Sequence, residues 1–292
     1  ALLLVLGLGT TILPGSAVRA AGDWYVNPGE SIQAAIEAAA AAGGGTVHVA
    51  AGTYLGQITL RSGVVVVGAG PELSILNAGE HFLRVVVAHN VDSALLKGFT
   101  ITGGYLHDHG AAMFNDNSSP RIEDCVFRNN FAGGASGQNI IWNGNHSSPT
   151  LVNCTFIDNE VTYGAVMHND NSNPTLVNCV FGSNHVDGGI YNYWSNATIV
   201  NCLFTGDSAV ANRDASKAMF VNCVFRDLDC GLAQMRGPDI PDPSATLVNC
   251  TFTRNRVGIS STSGILTLTN CIVWGNTQGF SDGTPWDGTG RV

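Results

Sequence analysis

Few residues in this sequence have side chains and spacing suited to chemistry. Asp116, Asp170 and Asp214 fall at similar turn positions of a repeating chain, with Arg213 beside the last. Two carboxyl groups cleave a glycosidic bond when one donates a proton and the other attacks or activates water. They then stand about 5 Å apart for retention and roughly 6.5–9.5 Å apart for inversion. Asp116 and Asp170 are two repeats apart, roughly 10 Å at the usual strand spacing, near the inverting range. Asp is also a favoured turn residue, so the pattern alone assigns no role. The second group is aromatic. Where Ile190 and Asn192 point inward, Tyr191 and Tyr193 point outward, followed by Trp194, and Trp142 lies two repeats earlier. Outward rings on a flat face stack on sugar rings with large contact area at low entropy cost.

Histidines and cysteines complete the inventory. His107 and His109 share one strand face at i, i+2 and lack a third ligand, so no metal is assigned to them. His168 aligns with Asn192 and Asn212 of later repeats and is expected to point inward. Of the eight cysteines, seven sit in one recurring phrase and the eighth is Cys230. Paired C-x2-C spacing is absent, which argues against zinc. Cysteines stacked in a column have parallel Cβ vectors and strain any bond between them, so they read as small buried apolar groups. Cys223 and Cys230 could still pair across a turn.

These residues are positioned by the repeat itself. Val152-Asn153-Cys154-Thr155-Phe156 returns as Val177-Asn178-Cys179-Val180-Phe181 and Val200-Asn201-Cys202-Leu203-Phe204, then as Val221-Asn222-Cys223-Val224-Phe225 and Val248-Asn249-Cys250-Thr251-Phe252. Glu123-Asp124-Cys125-Val126-Phe127 precedes the series, and Thr269-Asn270-Cys271-Ile272-Val273 ends it. The spacing varies around a fixed phrase, as it does in coils whose loops differ in length. Leu151 points in and Val152 out, Asn153 turns the chain in a left-handed conformation, and Cys154 and Phe156 point in with period 2. A third short strand follows, as in Gly164–His168 or Gly189–Tyr193. Three strands and three turns per coil describe an all-β, right-handed parallel β-helix, a single-stranded solenoid. Its stacked asparagines are expected to form an internal amide ladder and its phenylalanines an aromatic column. Glu30 to Ala42 carries Ile32, Ala35, Ile36 and Ala39 at helical spacing before Gly43-Gly44-Gly45, and is expected to cap the first coil.

Composition narrows the partners. Only 12% of the residues are charged, and 13 Lys+Arg against 22 Asp+Glu give a formal net charge of -9. Such a chain lacks the basic face that nucleic acid or anionic lipid requires. Residues 1–20 read as a partial signal peptide. Ala1 to Leu13 is almost wholly apolar, Pro14-Gly15-Ser16 breaks the run, and Val18-Arg19-Ala20 places the cut after Ala20. The shortness of the run disfavours a membrane anchor. The β-helix is assigned to 21–276 and a Gly/Asp-rich extension to 277–292, beyond which the chain is expected to continue or to meet a partner. A secreted or cell-surface location follows, with no membrane contact after signal removal.

Ser31-Ile32-Gln33-Ala34-Ala35-Ile36, Gly44-Gly45-Thr46-Val47-His48-Val49 and Ala51-Gly52-Thr53-Tyr54 closely resemble the N-terminal cap of the pectate-lyase-like superfamily. The Asn-Cys-x-Phe phrases resemble its right-handed β-helix repeat. Phe156-Ile157-Asp158-Asn159 with Gly164-Ala165-Val166, and Phe181-Gly182-Ser183-Asn184 with Gly188-Gly189-Ile190, are similar to repeats of polymorphic outer-membrane adhesins. The resemblance covers roughly residues 23 to 276 and implies the fold, since its members include lyases, glycosidases, esterases and non-catalytic adhesins. Lyases of this kind use a Lys or Arg base, often with Ca²⁺ held by carboxylates; only Arg213 and Arg236 fall near the matching strand. The paired aspartates plus Gly-His-Gly of polygalacturonases and the clustered Asp and Arg of pectate lyases are not found. The expected function is therefore an exported module that binds extracellular polysaccharide or adheres at a cell surface, through Trp142, Tyr191, Tyr193 and Trp194, with no cofactor. The alternative is a polysaccharide lyase or glycoside hydrolase using Asp116, Asp170, Asp214 or Arg213, with Ca²⁺ if a lyase. A third reading is a structural solenoid that self-associates end to end.

Overall fold

A computed structural model describes residues 22–79, 83–134, 138–206, 210–235 and 240–281. The expected signal segment, Arg236 and most of the expected C-terminal extension lie outside the described residues. Three parallel sheets run the length of a β-solenoid of about ten turns. The first holds eleven described strands from Asp23–Val26 to Ile265–Thr269. The second holds ten, from Gly52–Leu55 to Ile272–Trp274, and the third ten, from Ile58–Thr59 to Gln278–Ser281. The helix spans Ile32–Ala41, with the Ser31 side chain accepting from the Ala34 N–H as its N-cap. Its Ile32, Ile36 and Ala39 are buried against the first coil, covering a sheet end whose strand groups would otherwise lack partners.

Residue types explain this regularity. Coils pair residue for residue, Leu151 on Leu176 and Ile199 on Phe220, with the intervening Val and Thr facing outward. One-to-one pairing aligns the inner columns. Phe127, Phe156, Phe181, Phe204, Phe225 and Phe252 are fully buried and stack at ring-centroid distances of 4.9, 4.5, 5.0, 4.9 and 4.4 Å. Such ring pairs contribute about 0.5–1.5 kcal/mol each beyond their burial. The repeat cysteines fill the neighbouring slots as free thiols, with Cys223 and Cys230 unpaired. Burial holds the proton on: the Cys125 thiol is pushed up to about 12.

The asparagine ladder requires a correction. The repeat asparagines adopt the left-handed conformation, φ 54° at Asn153 and 55° at Asn178, and they bond in series. Asn178 donates to Asn153 at 3.1 Å, Asn201 to Asn178 at 3.3 Å, Asn222 to Asn201 at 3.1 Å and Asn249 to Asn222 at 3.1 Å. Yet these side chains lie on the outside of the solenoid, because the left-handed turn throws the Asn Cβ outward while Cys points in. The internal ladders belong to other asparagines. Asn115 donates to Asn143 and Asn143 to Asn169 at 2.7 Å, then Asn169 to Asn192 and Asn192 to Asn212 at 2.8 Å, all buried. A second series joins Asn130, Asn159 and Asn184 at 2.9 Å per step.

Two measurements follow. Asn192→Ala leaves the Asn169 amide N–H and the Asn212 carbonyl buried without a partner, each costing about 1–3 kcal/mol. Asn222→Gly, on the exposed ladder and with glycine tolerant of positive φ, costs far less, so urea midpoints should separate the two variants clearly. In the native protein the buried cysteines should resist a thiol-specific disulfide reagent, while denaturant makes all eight react.

Candidate functional site

The third sheet presents two outward columns. The first runs Val87, Phe114, Trp142, His168, Tyr191 and Ala211. The second runs His89, Asp116, Gly144, an interval to Asp170, then Tyr193, Arg213 and Met235. Strand alternation and the inward Asn and aliphatic columns fix this outward direction. His168 is therefore not an inward turn residue: it pairs with Tyr191, and Asn169 is the residue aligned with Asn192. The alignment read from sequence is displaced here by one position, which in a strand reverses the face.

The columns bring rings into one continuous patch. His109 stacks on Trp142 at 4.3 Å, Trp142 meets His168 at 4.9 Å, and His168 lies parallel to Tyr193 at 4.9 Å and 7°. Tyr191 meets His168 edge-on at 6.4 Å. The Arg213 guanidinium sits 5.2 Å from the Tyr193 ring centre and donates to the Tyr193 hydroxyl at 2.5 Å. Phe114 carries the Arg84 guanidinium at 4.6 Å, and Arg84 is itself bonded to the His109 carbonyl and to Asp108. Glycines make room for two of the rings. A Cβ on Gly144 would fall 2.5 Å from Trp142 Nε1, and one on Gly188 would fall 2.3 Å from the Tyr191 ring. Trp194, next along in the turn at φ 46°, is 46% exposed.

A three-stranded sheet of Tyr105–Leu106, Phe131–Ala132 and Glu160–Val161 stands beside this face. Tyr105 stacks on Phe131 at 4.8 Å, with the His107 ring edge-on to both. Sequence reading misses this sheet because each strand is two residues long. It also misses His109 and Phe114 as members of the ring patch, although the i, i+2 alternation that finds Tyr191 would reach Phe114 through Met113 and Asn115.

The carboxylates are arranged differently from the sequence alignment. Asp116 and Asp170 share a column, with Gly144 between them. Asp214 does not join them. It is buried in the left-handed turn position, φ 48°, where its carbonyl accepts from the Trp194 N–H, and Arg213 takes the column position. Asp116 is engaged, by His89 Nδ1 at 2.7 Å and by Asn145 Nδ2 at 2.5 Å. Burial lifts the Asp170 carboxyl above the ordinary carboxylate range. Between the two aspartates the Gly144 slot is filled by the Trp142 indole. Among the described residues, no group of three or more His, Cys, Asp or Glu is placed to hold a metal ion.

Burial also drives His168 down to about 4, with the nearby His109 and Arg213 acting in the same direction, and pushes the Tyr191 hydroxyl up to about 12. His168 is therefore neutral at neutral pH. In the unfolded chain an ordinary histidine takes up its proton near pH ~6.5, whereas in the folded chain His168 does so only near pH 4. Its share of stability is complete above about pH 6.5 and declines as pH falls toward about 4. His168→Phe should flatten the loss of urea resistance between about pH 7 and 5 relative to the parent chain.

Family models match residues 87–204 and 188–284, both as a right handed beta helix region. No curated protein sequence matches the chain. Among solved structures, the pectate lyase Pel9A is similar at TM-score 0.54 and 14% identity, covering 91% of this chain and 81% of that one. PfbA, a surface adhesin of Streptococcus pneumoniae, is similar at TM-score 0.50 and 14% identity, covering 83% and 79%. The tailspike of E. coli bacteriophage HK620, solved with a pentasaccharide, is similar at TM-score 0.53 and 15% identity, covering 84% of this chain and 52% of its own. The chain thus spans about half the length of that tailspike. At these identities the likeness concerns the fold, and among the described residues no helix is long and apolar enough to cross a membrane. With the two family matches together running from 87 to 284 along the stacked coils, the chain belongs to the right-handed β-helix family.

Proposed function

We propose that this chain is an exported polysaccharide-binding module that docks a glycan on the outward face of its third sheet. The observation that carries the reading is the ring patch from His109 through Trp142 and His168 to Tyr193, bordered by Arg213. Rings held by neighbouring strands are pre-organised, so little entropy is lost when a sugar chain stacks on them. Arg213, Asp170 and the tyrosine hydroxyls offer polar groups at the edge of the apolar surface, the mixture that sugars require. The reading agrees with the pentasaccharide bound to the HK620 tailspike and with the surface role of PfbA. A secreted or cell-surface location belongs to the same proposal.

Catalysis is the second reading, favoured by one observation: burial lifts the Asp170 carboxyl, as an acid catalyst needs, two coils from Asp116. Against it, the indole of Trp142 occupies the slot between the two aspartates, where an inverting hydrolase keeps a water. A lyase would call on Arg213 as base, but its guanidinium is committed to Tyr193.

A panel of neutral and uronic-acid polysaccharides tests both. The binding reading expects saturable binding without new reducing ends or unsaturated sugars, with Trp142→Ala and Tyr193→Ala each weakening affinity about 5–30-fold, the effect of a loss of about 1–2 kcal/mol. Turnover abolished by Asp170→Asn would replace it with the catalytic reading.

A further inference from the structure

The first sheet has an outward face that the glycan reading leaves unused. From residue 150 onward its strands share two outward rows that pair in constant register through six coils, and the last three strands add an edge row of Lys217, Ser244 and Ile265. One row is Thr150, Thr175, Thr198, Met219, Thr246 and Thr267. The other is Val152, Val177, Val200, Val221, Val248 and Thr269. Neither of these two shared rows holds a charged side chain; the nearest charges are Arg121 and Glu123, one coil earlier, and Lys217 in the edge row. The threonine hydroxyls of the first row have no hydrogen-bond partner among the described residues. The exposed asparagine ladder runs along the edge of this face, each amide tied to the next. Side-chain ladders of that kind keep a parallel sheet from twisting.

The outcome is a surface periodic in two directions. Strand pairing sets one repeat, about 4.8 Å along the solenoid axis, and the i, i+2 rise sets the other, about 6.6 Å across it. Hydroxyls and methyl groups alternate on this grid. A flexible polymer or a protein side chain gains little from such regularity, and a charged ligand finds no partner within the two shared rows. A crystalline ligand built from neutral hydrogen-bonding units gains at every node, because one rigid docking satisfies all rows together. Hexagonal ice is such a ligand: its surface oxygens repeat at lengths close to these two, threonine hydroxyls can replace lattice waters, and methyl groups favour ordered water in the troughs between rows. We propose that the outward face of the first sheet, over residues 150–269, binds the surface of ice crystals.

Met219 is the one departure in the threonine row, and its side chain is 41% exposed. It stands proud of its neighbours and limits the fit, which supplies a gain-of-function test. Thermal hysteresis of the purified chain, and its partition into slowly growing ice, should exceed those of an unrelated globular protein of equal size. Thr198→Lys and Val200→Lys, in the middle of the grid, should each lower hysteresis at least tenfold while leaving the circular dichroism spectrum and polysaccharide affinity unchanged. Met219→Thr should raise it severalfold. The proposal is overturned if the parent chain matches the control protein in both assays, or if the lysine variants retain full hysteresis. It is also overturned if sedimentation reveals a dimer that the same lysine substitutions disperse, which would make the face an interface between two copies of the chain. Since polysaccharide binding is read on the third sheet, loss of one activity leaves the other standing.

Discussion

The structure depends on one constraint: each coil must lie on its neighbour in unbroken register. A single coil has an inner face it cannot bury and strand edges it cannot pair. Both needs are met only when the next coil repeats the same residue type at the same place. Backbone pairing supplies the attraction, and the buried amide chain from Asn115 to Asn212 supplies the selectivity. An amide both donates and accepts, so it can continue a chain indefinitely, whereas a slip of one residue would turn it out to solvent and a slip of two would bury it against an aliphatic side chain without a partner. The phenylalanine stack adds burial energy but tolerates a slip better, since a ring has no polar group to strand.

Fixed register separates the solenoid's tasks. The inner columns are occupied by Phe, Cys, Asn and aliphatic residues, leaving the outward positions free to differ from wall to wall. The third sheet uses them for rings and ionisable groups, and the first, in its two shared rows from residue 150 onward, for threonine and valine. Length differences are absorbed at the turns: Cys-to-Cys intervals run from 21 to 29 residues, yet the strands on either side remain paired. The small sheet beside the ring patch arises in this way, from longer coils whose extra residues pair with one another.

Much of this is legible in the sequence because the repeat phrase carries its own alternation. Val-Asn-Cys-x-Phe states which residues face in and marks the left-handed corner, and Ser31 with the spaced Ile32 and Ile36 states the helix. The reading fails where the repeat is less strict. The buried Asn169 and Asn192 sit outside the conspicuous phrase, so the internal amide chain is mistaken for the neighbouring, exposed asparagines. The strand Gly164–Asp170 has no fixed phrase to anchor it, and an error of one residue turns His168 inward and sets Asp214 among the aspartates. The engagement of Asp116 by His89 joins residues that are distant in sequence, and only stacking brings them together.

Gly144 shows how such a wall acquires its relief. Where every coil supplies one outward side chain per column, omitting one leaves a recess a single strand wide, and the Trp142 indole lies down into it. Contour on this molecule is thus made by subtraction: a missing methyl group in one coil decides whether a neighbouring ring stands upright or lies flat. A protein that keeps its backbone invariant can still re-engrave its surface, one absent side chain at a time.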